Sequence, residues 1–238
     1  LLSGDELQVN TVIGNTLPKL YAEREMAALS KVTITPTADN SDTLKSLLIV
    51  ITMVTAMFMG CTFNAMSIIG EKEDGIALIN EVLPMTKKEY AVQKITLGFV
   101  GGVLSTLLTA LICMKITVSQ ALPLLLLIVL SAFVAALVGL FIGRFSSGLM
   151  VGIVYIKIVM ILFLAPPILF YLLIPADSIL RALSYLLPSS ATFYGLMDLL
   201  SGTTQGIGIE LVVLSAHCLV WLLLFFIINH SKHKKVFA

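Results

Sequence analysis

The chain has 238 residues, of which 58% are hydrophobic and only 12% charged, against about 25% charged in an ordinary soluble domain. Fifteen Lys+Arg and 14 Asp+Glu are too few to cover the outside of a water-soluble core of this size, so the composition excludes most soluble folds and makes the lipid bilayer the simplest solvent. A net charge of +1 with the basic residues scattered through short loops sets nucleic acid aside as a partner.

Residues 1–46 contain no apolar run long enough to cross a membrane. Within them, 15–30 (NTLPKLYAEREMAALS) has helical character, and 31–37 (KVTITPT) alternates like a short strand or extended linker before the turn cluster Asp39-Asn40-Ser41-Asp42. A spanning helix needs about 20 mostly apolar residues, because the hydrocarbon core is about 30 Å thick and an α-helix rises about 1.5 Å per residue. Five segments meet that requirement: 47–69, 95–116, 122–142, 149–164 (extendable toward 171) and 207–229. The fold class expected is therefore all-α, a polytopic transmembrane helix bundle, with the transmembrane domain over 47–238.

Orientation follows from the connecting loops, since Lys and Arg are retained preferentially on the cytoplasmic side. One alternating set of loops carries Lys72, Lys87, Lys88 and Lys94, then Arg144, then Lys232, Lys234 and Lys235. The other set carries Lys115 and Arg181, with Lys45 at the membrane edge. The first set is expected inside, which makes the C-terminus cytosolic and residues 1–46 an extracellular segment at the end of a larger outside region. Five spans would then be the last five of six, with at least one further helix upstream.

The loop over 68–94 (IIGEKEDGIALINEVLPMTKKEYAVQK) is the most informative stretch. Charge arrives abruptly as Glu71-Lys72-Glu73-Asp74, and Gly75 permits a sharp change of direction. Ile76, Ile79, Val82 and Leu83 then fall on one face of a short helix that Pro84 ends. Thr86 and Glu89 have capping-box spacing and open the next helix, which continues through Tyr90 and Lys94. The expectation is a short amphipathic helix along the cytosolic surface near 71–89.

Here the chain resembles the membrane subunits of type-2 ABC exporters, also called type V ABC transporters. Their first cytosolic loop reads Glu-Arg/Lys-Glu-x-Gly-Thr, a short helix, then a Pro-centred turn with Ser/Thr, basic residues and an acidic residue. This chain offers Glu71-Lys72-Glu73-Asp74-Gly75, a helix to Leu83, Pro84, and Thr86-Lys87-Lys88-Glu89, and departs at Ile76, where the family usually has Thr. The resemblance implies an exporter permease that works as a homo- or heterodimer with separate ABC ATPase subunits and moves an amphipathic or hydrophobic substrate. It makes Glu71, Glu73, Gly75, Ile76, Ile79, Val82 and Leu83 the ATPase-coupling residues. In that family the first and fourth spans seen here line the conduit at the dimer centre.

No Gly-x-x-x-x-Gly-Lys-Ser/Thr occurs, so the chain is expected to carry no cofactor of its own, with ATP and Mg on the partner ATPase. No His-Glu-x-x-His, Gly-x-Ser-x-Gly or suitably spaced carboxylate pair suggests an enzyme. The competing class is a non-ABC channel or secondary carrier using Lys157, or a scaffold without transport.

Between the fourth and fifth spans, Pro166-Pro167 is read as a helix break. Asp177 is a candidate cap for a short helix over 178–187, and Pro188 starts another that ends near Gly202. Too short to cross, these helices within 166–206 read as re-entrant or interfacial pieces on the outer side, with an ordinary extracellular loop as the alternative.

Within the spans, Thr52, Thr55 and Asn64 suggest a polar stripe on the first helix, and Lys157 sits near the middle of the fourth. A charge there costs about 2.5–3.5 kcal/mol on insertion scales, so Lys157 should face protein or water, either as a translocation-pathway residue or in structural hydrogen bonding. Glu210 and His217 are seven apart and share a face. Gly139, Gly143, Gly148 and Gly152 form small-x-x-x-small pairs suited to packing within the chain or to a subunit interface. Cys61, Cys113 and Cys218 lie in apolar runs with no metal-ligand or redox spacing.

Overall fold

The computed structural model describes residues 40–75, 87–175, 178–203 and 206–233. Seven helices occur among them: α1 (Asn40–Glu73), α2 (Lys87–Cys113), α3 (Val118–Phe145), α4 (Leu149–Leu173), α5 (Ile179–Ser184), α6 (Pro188–Leu200) and α7 (Ile207–His233). Five of them, α1, α2, α3, α4 and α7, are long and apolar enough to span a membrane. The described residues contain no strand, so the bundle is all-α and polytopic.

The spans overrun the apolar segments expected for them at one or both ends, except that α2, which starts eight residues early at Lys87, stops at Cys113, three residues before the expected end. At 34 residues α1 is roughly 51 Å long, well beyond a hydrocarbon core of about 30 Å. Polar turns such as Glu71-Lys72-Glu73 are thereby carried on rigid helix past the apolar zone. Gly75 ends the chain's run out of α1 with φ +71°, a left-handed conformation that glycine adopts without steric cost.

Within the unit formed by Leu44–Ala238, α3 is the central element. It is buried over most of its length and packs on α2, α4, α6 and α7. The main core joins Val50, Met53 and Met57 of α1 to Leu127 and Ile128 of α3, Phe193 and Leu196 of α6, and Leu214 of α7.

Small residues set the close helix crossings, because lipid gives helices no hydrophobic reason to associate and backbone proximity must supply the attraction. A Cβ on Gly98 would stand 2.7 Å from the Gly60 carbonyl oxygen, and one on Gly139 would stand 2.9 Å from Cys61 Cα. Gly143 faces Ile68 and Gly152 faces Ile69 in the same way. The glycines that left packing and subunit interface open are thus filled by α1 of their own chain. Of the cysteines, Cys61 and Cys218 are buried and Cys113 is exposed, all three free.

Two local expectations are corrected. Pro166-Pro167 does not break the fourth span: α4 runs through both prolines to Leu173. A membrane helix tolerates the missing N–H groups where neighbouring helices and local adjustment compensate; here Pro167 is buried and the helix resumes far enough for Ile174 N to donate to Phe170 O at 3.1 Å. The cap of α5 is Ser178, whose Oγ accepts from Leu180 N at 3.3 Å, while Asp177 lies outside the described residues. As expected, α6 opens on Pro188 and ends near Gly202: its last residue is Leu200, its cap Ser201, and Gly202 follows with φ +76°. It is buried along nearly its whole length, so it packs into the core of the bundle.

Candidate coupling site

Three consecutive residues at the end of α1 each grip a different helix. Glu71 accepts from Tyr90 Oη at 2.7 Å and pairs with the ammonium of Lys94, both on α2. Lys94 also donates to Ser67 Oγ at 2.7 Å and is only 6% exposed, so its charge is compensated by two partners on α1.

Lys72 donates from Nζ to the carbonyl oxygens of Gly143, Arg144 and Ser146 at 2.7, 2.9 and 2.9 Å. These are orphan carbonyls at the end of α3, where the helix dipole is negative, so a cation there is stabilised twice. Glu73 accepts from Leu149 N at 2.6 Å. That amide is the first of α4, whose N-cap residue is Gly148 and supplies no side chain; Glu73 stands in as the cap and meets the positive end of the dipole.

Helical periodicity explains how adjacent residues reach separate targets. Successive side chains rotate about 100° around the axis, so Glu71, Lys72 and Glu73 point to three sides of the last turn of α1. Their partners, α2, the end of α3 and the start of α4, surround it. Asp74 and Gly75 follow at once and are exposed, and the loop leaves from this point.

Of the residues expected to couple, Glu71, Glu73 and Gly75 are in this cluster, while Ile76, Ile79, Val82 and Leu83, with Pro84 and Thr86, lie outside the described residues. Sequence reasoning missed Lys72, Tyr90 and Lys94 as its other members. The available signal was that Tyr90 and Lys94 are four apart on one helix face.

The suggested pathway residues are not brought together. Thr52 and Thr55 are exposed and donate to their own helix, to Leu48 O and Ile51 O, each at 2.8 Å. Asn64 is fully buried on another side of α1 and donates to Ala136 O of α3 at 2.7 Å. The three therefore do not form one stripe: the two hydroxyls bond within their own helix, whereas the buried Asn64 donates across to a carbonyl of α3. Lys157 is exposed on α4, on a face shared with Val154, Ile158 and Ile161. Among the described residues no group of three or more His, Cys, Asp or Glu could hold a metal ion.

A family model for ABC-2 family transporter proteins matches residues 1–227 of the chain. The chain belongs to the ABC-2 transporter family. No curated protein and no solved structure matched it. As an ABC-2 permease it is a multi-pass membrane protein and a transport subunit, which sets aside the non-ABC channel, carrier and scaffold readings. In an ABC-2 permease the cluster at the end of α1 stands immediately before the loop that resembles the coupling helix.

Proposed function

We propose that this ABC-2 permease is the membrane subunit of an ATP-driven exporter, that two permease subunits work with separate ATPase subunits, and that ATP-driven motion enters at 71–89 with the C-terminus cytosolic. The observation that carries this reading is the three-way grip of Glu71, Lys72 and Glu73 on α2, α3 and α4. A push on the amphipathic segment containing Ile76, Ile79, Val82 and Leu83 passes through Gly75 into the last turn of α1. From there it reaches three other spans through polar contacts with directional geometry, and apolar packing alone would let such helix ends slide.

Transport of this kind needs no covalent chemistry in the permease. The energy shifts an equilibrium between conformations that differ in how well they bind the closed ATPase pair. ATP and Mg belong to that partner. The face of α4 with Val154, Lys157, Ile158 and Ile161 is left exposed by its own chain, and we assign it to the second permease subunit and the conduit, where Lys157 meets water or an anionic group of an amphipathic substrate.

Co-purification tests the reading. Full-length permease extracted in mild detergent retains an ATPase subunit, and deletion of 76–83 releases it while the permease still reaches the membrane. Normal substrate export by the deletion variant, or an intact permease that never retains an ATPase, contradicts it.

A further inference from the structure

At the end of the bundle opposite the Lys72 cluster, α6 and α7 bring two carboxylates together. A methyl group placed on Gly206 would lie 2.7 Å from Asp198 Oδ2 and 3.8 Å from Glu210 Oε1. Glu210 is 4% exposed; its Oε1 accepts from Tyr185 Oη at 3.2 Å, but its Oε2 has no partner among the described residues. Tyr194 is four residues before Asp198 on α6, hence on the same face, and its ring meets that of Tyr185 at 5.5 Å. At 3% exposed, Tyr194 also leaves its hydroxyl unpartnered among the described residues.

The nearby cation does not fill the gap. Arg181 stacks on the ring faces of Tyr194 at 4.6 Å and Tyr171 at 5.6 Å, and forms no ion pair with either carboxylate among the described residues. With both carboxylates ionised and one guanidinium beside them the group carries a net charge of about −1; Glu210 is buried and Asp198 only partly so, and burying that charge costs free energy unless a cation or a proton compensates it.

We propose that Glu210, Asp198, Tyr194 and Tyr185 hold one monovalent alkali-metal cation that fastens α6 to α7. All four offer oxygen, the donor type that hard cations take. The charge decides between mono- and divalent ions: one positive charge neutralises the site, whereas two leave an excess beside Arg181. Gly195 brings the two helices close enough, since a Cβ there would stand 3.5 Å from Glu210 Cβ. The remaining titratable neighbour, His217, is satisfied through Nε2 by Tyr185 O at 3.0 Å. The site stands on its own contacts and does not depend on the ATPase-coupling reading.

Thermal unfolding of the detergent-purified full chain tests it, in NaCl, KCl and N-methyl-D-glucamine chloride at equal ionic strength and pH 8. The melting midpoint rises and saturates with sodium or potassium, as a ligand that binds only the folded state requires, and Glu210→Gln abolishes the rise. Because Glu210→Gln can itself impair folding, Tyr194→Phe is measured as well. It keeps the wild-type midpoint or a slightly higher one without alkali cation, yet needs several-fold more cation for half the rise. Equal midpoints in all three salts, a rise that survives Glu210→Gln, a response to calcium or magnesium alone, or a response to added protons without any to alkali cations each overturns the proposal.

Discussion

Glu73 caps α4 from another helix, its Oε1 accepting the Leu149 amide at 2.6 Å. The end of one span thus completes the beginning of another that follows 76 residues later in the chain. A cap of this kind contributes about 1 kcal/mol. Glu73→Ala is expected to lower the melting midpoint by about 2–4 °C for a protein of this size, whereas Glu73→Gln, which keeps the accepting oxygen, loses less. Equal losses would mean that the charge and not the hydrogen bond is what matters.

The Glu71–Lys94 pair gives a sharper test, because Lys94 is buried and Glu71 partly so. Removing one partner leaves the other charge uncompensated at a cost of about 3 kcal/mol, while removing both costs less. Lys94→Met and Glu71→Gln should each destabilise, and the double variant should unfold above Lys94→Met alone. Additive losses in the double-mutant cycle would contradict the pairing.

Two glycines separate helix propensity from packing. Gly-to-Ala in a helix interior gains about 1 kcal/mol by propensity, but a Cβ on Gly139 would press on Cys61 Cα and C at 2.9 and 3.0 Å, backbone atoms that cannot rotate away. Overpacking costs about 1–3 kcal/mol and wins there. Gly208 has nothing within 4 Å of the corresponding point, so Gly208→Ala is expected to leave the midpoint unchanged or raise it while Gly139→Ala lowers it.

Cys113 offers a direct test of orientation. It is the exposed cysteine, at the end of α2, and Cys61 and Cys218 are buried. A membrane-impermeant maleimide applied to intact cells is expected to label the wild type and not Cys113→Ser. Labelling only after the membrane is opened would reverse the assignment of the two sides.

Asp198 predicts a pH dependence. Burial raises its folded-state pKa above the ordinary value of 3.8, so at a pH between the two the folded chain binds more protons than the unfolded one. Its contribution to stability is complete below the ordinary value and is lost as pH rises through the raised one. In medium free of alkali cations, Asp198→Asn should flatten the fall in melting midpoint over that interval. Burial pushes Tyr185 up as well, with Glu210 adding to the shift, so the phenol stays protonated across the same range and does not interfere.

The five spans were legible because about 20 apolar residues per crossing is a demand that composition reports directly. Their polar ends were not: residues 40–46 and 70–73 continue α1 beyond the apolar zone, where hydropathy falls although hydrogen bonding continues. Pro166-Pro167 misled for a related reason, since proline's effect on a helix depends on neighbours that compensate it. In the site, Glu71 and Glu73 stood out by local charge pattern, but Lys72 acquires its role only when the end of α3, 71–74 residues away, is folded against it. Asn64 was assigned to a stripe with Thr52 and Thr55 on polarity, and its buried partner Ala136 was invisible until α1 and α3 were packed. The neighbours of Glu210 were hidden in the same way, because Tyr185 caps the end of α5 and Asp198 lies on α6.

The most direct test of the coupling account is hydrogen exchange at the amides of 149–152 in the permease–ATPase complex, with and without ATP and vanadate. In the wild type the trapped nucleotide state is expected to change exchange at the start of α4. In Glu73→Ala combined with Lys72→Met the ATPase still binds but that change is lost. An unaltered exchange response in the double variant would contradict the transmission of ATP-driven motion through the end of α1.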